Sequence, residues 1–273
     1  MTAFLQVRDL RKSFRAGRGL FGRGPSTVAV NGVSFEVRRG ATFGLVGESG
    51  SGKSTTARIV CRLLDADHGQ VILDGQDLLR LRGRALLAAR RRVQMVFQDP
   101  FASLNPRWKV GSLIAEGMRV HRLGSAADRR RRVVELLEQC GLPGDAAGRY
   151  PHEFSGGQRQ RIGIARALAV QPELLVLDEP VSALDVSIRA QILNLLRHLQ
   201  DELGLTYLFI AHDLAIVERF CDEVAVMRNG EIVERGQPRQ LYRDPHHPYT
   251  RTLLDAIPIP DPRRRASTNG GRR

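Results

Sequence analysis

The feature that most constrains the fold of this chain is a glycine-rich octapeptide, Gly47-Glu48-Ser49-Gly50-Ser51-Gly52-Lys53-Ser54. The segment before it, ATFGLVG, is an apolar run typical of a buried central strand, and the segment after it, TTARIVCRLL, has helical periodicity. The glycines allow the backbone to wrap closely, so that consecutive N–H groups and the helix N-terminus face an anion. The order of strand, loop and helix therefore predicts a phosphate-binding loop.

The side chains at the end of this loop fit a nucleotide with a magnesium ion. We expect Lys53 to reach the β- and γ-phosphates and the hydroxyl of Ser54 to ligate Mg²⁺. We expect Thr55, the next residue, to belong to the phosphate-binding residues as well. A chance glycine loop is the alternative, and the flanking strand and helix argue against it.

An acidic pair ends a second predicted strand. In LLVLDE, four apolar residues place Asp178 and Glu179 at the strand tip, where Mg²⁺ and water sit in a nucleotide hydrolase. We expect Asp178 to hold the metal, directly or through water, and Glu179 to orient the attacking water as a general base. Alone, such a pair is more often a helix cap or a surface pair. The phosphate loop in the same chain favours the catalytic interpretation.

A third motif, Phe154-Ser155-Gly156-Gly157-Gln158, leads into RQRIGIARALAV, which is helical by pattern and composition. Ser155 is a plausible N-cap, and the two glycines leave amide groups bare at the positive end of the helix. This predicts a second anion-binding helix terminus. An ordinary glycine-rich turn is the alternative.

These motifs together resemble the nucleotide-binding subunits of ABC transporters. Gln98 follows a strand in VFQDP, the tetrapeptide Ser182-Ala183-Leu184-Asp185 follows the acidic pair, and His212 closes a strand in FIAHD. The resemblance covers about residues 4–236, and six elements in the same order argue against coincidence. It implies ATP as the nucleotide and ATP hydrolysis as the reaction.

The resemblance also explains why there are two anion-binding termini. In that family Ser155, Gly156 and Gly157, with Gln158 beside them, close over the γ-phosphate that the phosphate loop of another chain holds. Two ATP molecules are then buried in a head-to-tail dimer. The second terminus is thus expected to act on a partner's nucleotide.

Four further roles follow only from the resemblance. Gln98 would contact Mg²⁺ and the water and sense the membrane partner, although it also fits a polar strand end. His212 would contact the γ-phosphate and help to fix Glu179, whereas a lone histidine at a strand end is usually structural. Asp185 would link the two sites across the dimer, and it also fits an N-cap. Phe14 would stack on adenine, with a core phenylalanine as the alternative.

Two segments narrow the resemblance to the oligopeptide/dipeptide importer ATPases, a group that includes nickel importers. They are FQDPFASLNPR, residues 97–107, and PHHPYT, residues 245–250. The SLNPR form is similar to the second of two non-identical ATPase subunits. The sequence alone gives no direct physical reason for the HHPYT residues. Adjacent histidines beside two prolines lack the other ligands that a metal site needs.

The predicted fold is α/β: a P-loop, RecA-like core with a mostly parallel sheet, an N-terminal antiparallel β subdomain and an inserted α-helical subdomain. Residues 1–240 form the predicted ATP-binding domain, with the helical insertion at about 100–154. Residues 241–262 form an importer-type C-terminal extension, and we expect 263–273 to be a disordered basic tail.

The composition sets the expected location and partners. A formal net charge of +13 suits nucleic acid, nucleotide phosphate or an anionic membrane leaflet, and an arginine-biased solvated surface is the plainer explanation. The three cysteines form neither a disulfide framework nor a CxxC site, which suggests a reducing compartment. No apolar run approaches the ~20 residues of a membrane helix, so we expect a peripheral protein on the cytoplasmic face.

The resemblance implies two transmembrane permease subunits, a second and non-identical ATPase subunit, and indirectly an extracytoplasmic solute-binding protein. The same motor could drive nickel or another small solute. The rival hypothesis from another class is a soluble ABC ATPase that acts on nucleic acid or ribosomes. Such proteins generally carry two cassettes or long insertions, so no nucleic-acid partner is expected.

Overall fold

The computed structural model of the chain describes residues 3–15, 26–99 and 103–255. Most of the predicted loop between the first two strands, the last residues of the predicted C-terminal extension and the whole basic tail lie outside the described residues. Two β-sheets and a set of helices make up the described part.

The larger sheet has six strands in the order β10-β9-β3-β8-β7-β6. They are β3 (Thr42–Val46), β6 (Val93–Val96), β7 (Leu174–Asp178), β8 (Thr206–Ala211), β9 (Glu223–Arg228) and β10 (Glu231–Gly236). The strands are parallel except β10, which pairs with β9 in a hairpin. Asn229 and Gly230 turn this hairpin with positive φ angles of 49° and 86°, the conformation that an Asn-Gly pair favours in a two-residue turn.

The smaller sheet is antiparallel, in the order β2-β1-β4-β5. Its strands are β1 (Leu5–Arg15), β2 (Ser26–Val37), β4 (His68–Leu73) and β5 (Gln76–Asp77). Val33, Phe35 and Val37 of β2 are buried and alternate with exposed residues, and Phe35 stacks on Phe43 of the larger sheet with ring centroids 4.8 Å apart. Apolar packing therefore joins the two sheets.

The described helices include nine α-helices and three short 3₁₀ helices. The α-helices are α1 (Lys53–Val60), α2 (Gly83–Arg92), α3 (Val110–Val120), α4 (Ala126–Gln139), α5 (Gly156–Leu168), α6 (Val186–Leu203), α7 (Leu214–Phe220), α8 (Pro238–Arg243) and α9 (Pro248–Asp255). The 3₁₀ helices are Leu78–Arg80, Gly144–Gly148 and Pro151–Glu153. Helix α6 ends at Gly204, whose φ of 65° is the left-handed conformation that glycine adopts at low cost. Helices α3 and α4 lie within the segment predicted as an insertion.

Two apolar cores lie on opposite faces of the larger sheet. Alternation along β7 shows the division, because Leu174 and Val176 join the core beneath the antiparallel sheet, whereas Leu175 and Leu177 join the core beneath α5 and α6. A strand buried on both faces must be apolar at every position, which explains the continuous run LLVL.

The three cysteines are free and buried. Burial raises the pKa of the Cys140 thiol to about 12, and it raises the pKa of the Cys61 and Cys221 thiols as well. Thiolates are the reactive form, so these side chains serve as small apolar groups. Among the described helices, none combines the length and the hydropathy required to span a membrane.

Candidate nucleotide-binding site

The phosphate loop lies between β3 and α1, and two of its glycines are sterically required. A Cβ atom on Gly47 would lie 2.1 Å from the carbonyl oxygen of Met227, and one on Gly52 would lie 2.1 Å from that of Ala29. Both glycines also have positive φ angles, 153° and 103°. The loop is therefore pressed against β9 and β2, and only glycine permits this approach.

The ammonium group of Lys53 points back into the loop. Its Nζ atom donates to the carbonyl oxygens of Gly47 and Glu48, both at 2.7 Å, and to Ser51 Oγ at 3.3 Å. The residue is only 3% exposed, and burial lowers the pKa of Lys53 against the opposing effect of nearby carboxylates. A buried cation held by neutral oxygens fits a nearby polyanion such as a triphosphate.

The predicted metal-binding residues meet across the sheet edge. Ser54 Oγ donates a hydrogen bond of 2.9 Å to Asp178 Oδ1. Asp178 is 3% exposed, and burial raises the pKa of its carboxyl group. A hydroxyl and a carboxylate are hard oxygen ligands of the kind that Mg²⁺ prefers, so this donor set fits the predicted ion.

Glu179 lies at the centre of three residues from neighbouring strands. Its Oε2 atom accepts a 3.0 Å hydrogen bond from Gln98 Nε2, which follows β6, and lies 3.1 Å from Nδ1 of His212, which follows β8. Since a carboxylate only accepts, the contact requires the proton on Nδ1. Glu179 itself has a left-handed φ of 47°, and its N–H donates to the carbonyl of Ile210. The carboxyl ends of parallel strands thus bring all three predicted side chains together.

The serine–glycine motif forms the N-terminus of α5. Ser155 and Gln158 make a reciprocal capping box, in which each side chain binds the backbone N–H of the other. A Cβ on Gly157 would lie 2.5 Å from Cγ2 of Ile188, so this glycine packs closely against α6. Ser155 is exposed, and in the described part of the chain no hydrogen bond joins the motif to the phosphate loop.

The structure places Asp185 at the helix N-cap that the sequence also allows, and it places Phe14 outside the core. Asp185 occupies the N-cap position of α6, yet its exposed side chain makes no capping hydrogen bond with the described residues. Phe14 lies on β1 with 44% of its surface exposed, and Lys12 Nζ is 5.7 Å from its ring centroid. The core alternative for Phe14 is therefore wrong, and one face of the chain presents an aromatic ring.

Sequence reasoning missed one contact to the phosphate loop. The hydroxyl oxygen of Tyr249, on α9, accepts a 3.0 Å hydrogen bond from the backbone N–H of Glu48. The two residues are 201 positions apart, and no local pattern predicts which distant side chain reaches a loop amide. The PHHPYT motif was the only signal in that region.

Three features define a P-loop nucleotide hydrolase: a buried lysine at the end of a glycine loop, a serine hydrogen-bonded to an aspartate, and a glutamate directly after that aspartate at the end of β7. Comparison with known proteins narrows this class. The ABC transporter family model matches residues 30–182, and the model of the oligopeptide/dipeptide transporter C-terminal region matches residues 233–272.

Curated relatives match nearly the whole chain. The oligopeptide transport ATP-binding protein OppF of Bacillus subtilis is 53% identical over 260 residues, which are 94% of this chain and 83% of that protein. A putative peptide import ATP-binding protein of Brucella ovis is 52% identical over 261 residues, with coverages of 96% and 80%.

Among solved structures, the ATP-binding cassette MJ0796, dimeric in a post-hydrolysis state with ADP and Pi, matches with a TM-score of 0.76 and 28% identity. The match covers 86% of this chain and 99% of that one. The chain belongs to the ABC transporter ATP-binding proteins, in the group with an oligopeptide/dipeptide transporter C-terminal region. Its nucleotide is ATP and its reaction is ATP hydrolysis, so the family, the fold class and the enzymatic class predicted from the sequence are confirmed.

Proposed function

We propose that this chain is the ATP-hydrolysing motor subunit of an importer that moves peptides across the cytoplasmic membrane. The observation that carries the proposal is the carboxylate of Glu179, which Gln98 and His212 hold through one oxygen, next to the hydrogen bond between Ser54 of α1 and Asp178 at the end of β7. Names of relatives at 52–53% identity support import of peptides as the use of that hydrolysis.

The phosphate loop binds and orients the triphosphate. Lys53 exchanges its carbonyl partners in the loop for the β- and γ-phosphate oxygens, and the amides of 47–52 and the helix N-terminus bind the remaining charge. Ser54, Asp178 and Gln98 are the residues that would hold Mg²⁺. That ion, when bound, neutralises charge on the phosphates.

Glu179 acts as the general base. The two hydrogen bonds to Oε2 fix the orientation of the Glu179 carboxylate, and they therefore also fix the direction in which the other oxygen, Oε1, points. A fixed carboxylate can position a water for in-line attack and accept its proton. His212 has two proposed tasks: its Nδ1 holds Glu179, and the rest of the ring would contact the γ-phosphate when ATP is bound.

A second ATPase subunit completes each site. The exposed N-terminus of α5, with Ser155, Gly156, Gly157 and Gln158, supplies bare amides to the γ-phosphate of the facing chain. Asp185 connects the two sites across the dimer, and Phe14 stacks on adenine in its own chain. The partner is a non-identical ATPase subunit in a head-to-tail arrangement.

The permease docks on a groove that reaches Phe97, the residue before Gln98. This groove, of about 310 Å³, lies between α1, β6, α3 and α5, and its wall includes Leu63, Phe97 and Val120. Leu63 and Val120 are more than half exposed, which is unusual for large aliphatic side chains in a solvated groove. Since Phe97 precedes Gln98, a permease helix in the groove would act on the residue that holds Glu179.

The other expected partners follow from the same function. Two transmembrane permease subunits place the chain peripherally on the cytoplasmic face of the membrane, and a solute-binding protein delivers cargo from outside. Nickel or another small solute is the alternative cargo, because an ATPase subunit does not touch it. An ABC ATPase working on nucleic acid or ribosomes is the rival, favoured only by the net charge of +13.

The test uses Glu179→Gln, which keeps the shape of the side chain and removes the base. Vesicles with the complete importer should bind ATP as the wild type does, yet lose ATP turnover and uptake of labelled peptide. Wild-type turnover in the variant would refute the assignment of the base. Uptake of nickel in place of peptide would show that nickel is the cargo. Salt-sensitive pelleting with nucleic acid would favour an ABC ATPase that acts on nucleic acid or ribosomes.

A further inference from the structure

The C-terminal segment contacts the phosphate loop through one side chain. The Tyr249 hydroxyl accepts the backbone N–H of Glu48 at 3.0 Å, and Tyr249 is 5% exposed. Burial raises the pKa of Tyr249, so the phenol is neutral at physiological pH and acts here as an uncharged acceptor.

The bonded amide belongs to the peptide group that also holds the catalytic lysine. The N–H of Glu48 and the carbonyl of Gly47 are the two ends of one planar peptide unit. That carbonyl accepts Lys53 Nζ at 2.7 Å. Tyr249 and Lys53 therefore bind the N–H and the C=O of one peptide group, which point in opposite directions, and rotation of that peptide group would break both hydrogen bonds together.

The residues around Tyr249 hold it in place from the edge of the larger sheet. The backbone N–H groups of His246 and His247 donate to the two carboxylate oxygens of Glu234 on β10, at 2.8 Å and 3.1 Å. His247 Nδ1 accepts the N–H of Tyr249 at 3.1 Å, and the guanidinium of Arg228 lies 4.7 Å from the ring centroid.

These contacts give the PHHPYT motif a physical explanation. The histidines anchor the segment through their backbone amides, Pro248 starts α9 with its fixed φ, and the helix presents the tyrosine to the loop. A segment that ended before residue 249 would leave the Glu48 amide without this partner.

We propose that Tyr249 is a positioning residue that keeps the phosphate loop in its nucleotide-ready conformation and so makes ATP affinity depend on the docked C-terminal segment. The inference rests on the proposed function, because it assigns a role in the same ATP site. Tyr249 touches no phosphate and takes part in no bond-making step.

The test variant is Tyr249→Phe, which keeps the ring and its stacking on Arg228 and removes only the hydroxyl. Its matched control is Tyr242→Phe, in the same extension, because the buried hydroxyl of Tyr242 has no hydrogen-bond partner among the described residues. Each full-length chain is titrated with a fluorescent ATP analogue, and ATP hydrolysis is measured in the assembled importer.

We expect Tyr249→Phe to weaken nucleotide binding about 3- to 10-fold, the effect of one hydrogen bond that pre-organises a loop. KM for ATP should rise by a similar factor with kcat unchanged, since the hydroxyl is remote from the attacking water. The thermal unfolding midpoint should stay within about 2 °C of the wild type, because the packing is retained. Tyr242→Phe should bind as the wild type does.

Each outcome decides between two hypotheses. If the wild type binds nucleotide and Tyr249→Phe binds equally well, the positioning role is wrong and the proposed function stands. If both variants weaken binding equally, the effect belongs to the extension as a whole and the role of this hydroxyl is refuted. A wild-type chain that binds no ATP analogue would overturn the proposed function and, with it, the inference.

Discussion

The geometry around Glu179 predicts how two single substitutions and their combination will behave. Gln98 Nε2 and His212 Nδ1 donate to the same carboxylate oxygen, Oε2. Removing either donor leaves Glu179 present but able to rotate about its side-chain torsions. We therefore expect Gln98→Ala and His212→Ala to lower kcat for ATP hydrolysis while each chain still binds ATP.

The size of the loss follows from the charge on the acceptor. A hydrogen bond to a charged group contributes about 1.5–3 kcal/mol, which corresponds to about 10- to 150-fold in rate. In the single chain the His212 side chain is 55% exposed, so water weakens the bond and the lower end applies. Burial under a facing subunit would move the effect towards the upper end, and the assay therefore uses the assembled importer.

The double variant separates positioning from independent contributions. Since both donors orient one oxygen, the loss in Gln98→Ala/His212→Ala should be clearly smaller than the product of the two single losses. His198→Ala is the matched control, because His198 is an exposed histidine of α6 that pairs with Glu202. The reasoning is refuted if His212→Ala keeps wild-type kcat, or if the two losses multiply.

Two further predictions concern Asp178 and Gly156. Burial raises the pKa of the Asp178 carboxyl group above its usual value near 3.8, so the folded chain binds this proton more tightly than the unfolded chain does. The contribution of Asp178 to the free energy of unfolding is therefore lost as pH rises from 3.8 through the raised pKa. Asp178→Asn removes a proposed Mg²⁺ ligand and should abolish hydrolysis, yet it should raise the free energy of unfolding at pH 7, measured by urea denaturation with EDTA present. A less stable variant would contradict this sign. Gly156→Ala should leave the single chain folded and able to bind nucleotide, because a Cβ there meets Leu184 only at an ordinary 3.7 Å. The same substitution should abolish hydrolysis in the assembly, where the α5 terminus is proposed to act on the nucleotide of the facing chain. Full hydrolysis by that variant would count against the trans role of the α5 terminus.

Much of the site was predictable because local sequence determines it. The phosphate loop needs a strand before it and a helix after it, and both are visible as apolar runs of different periodicity. Gln98, Glu179 and His212 each follow an apolar strand. Strands of a parallel sheet end at one edge, so side chains that are far apart in sequence can converge there.

The remaining contacts join residues that are far apart in sequence, so no local pattern predicts them. Phe14 shows this, because an aromatic residue in an alternating strand can face the core or the solvent, and the register of β1 against β2 decides which. Tyr249 shows it more strongly, since its partner is a backbone amide and leaves no side-chain signature at position 48. The PHHPYT motif, for which the sequence shows no role, contains Tyr249, but only the folded structure shows the hydrogen bond to Glu48.

The two helix termini that are proposed to bind phosphate differ in a way that implies an order of events. At α1 the N-cap is Gly52, which offers no side chain to the first amides, and a buried lysine lies beside them. At α5 the Ser155 hydroxyl already accepts the amide of Gln158, and the Gln158 side chain in turn accepts the Ser155 amide. The first terminus can therefore bind a triphosphate within one chain, whereas the second already has one of its first amides bonded to its own cap. Nucleotide binding at α1 should precede engagement of α5, which makes closure of the dimer a consequence of ATP binding.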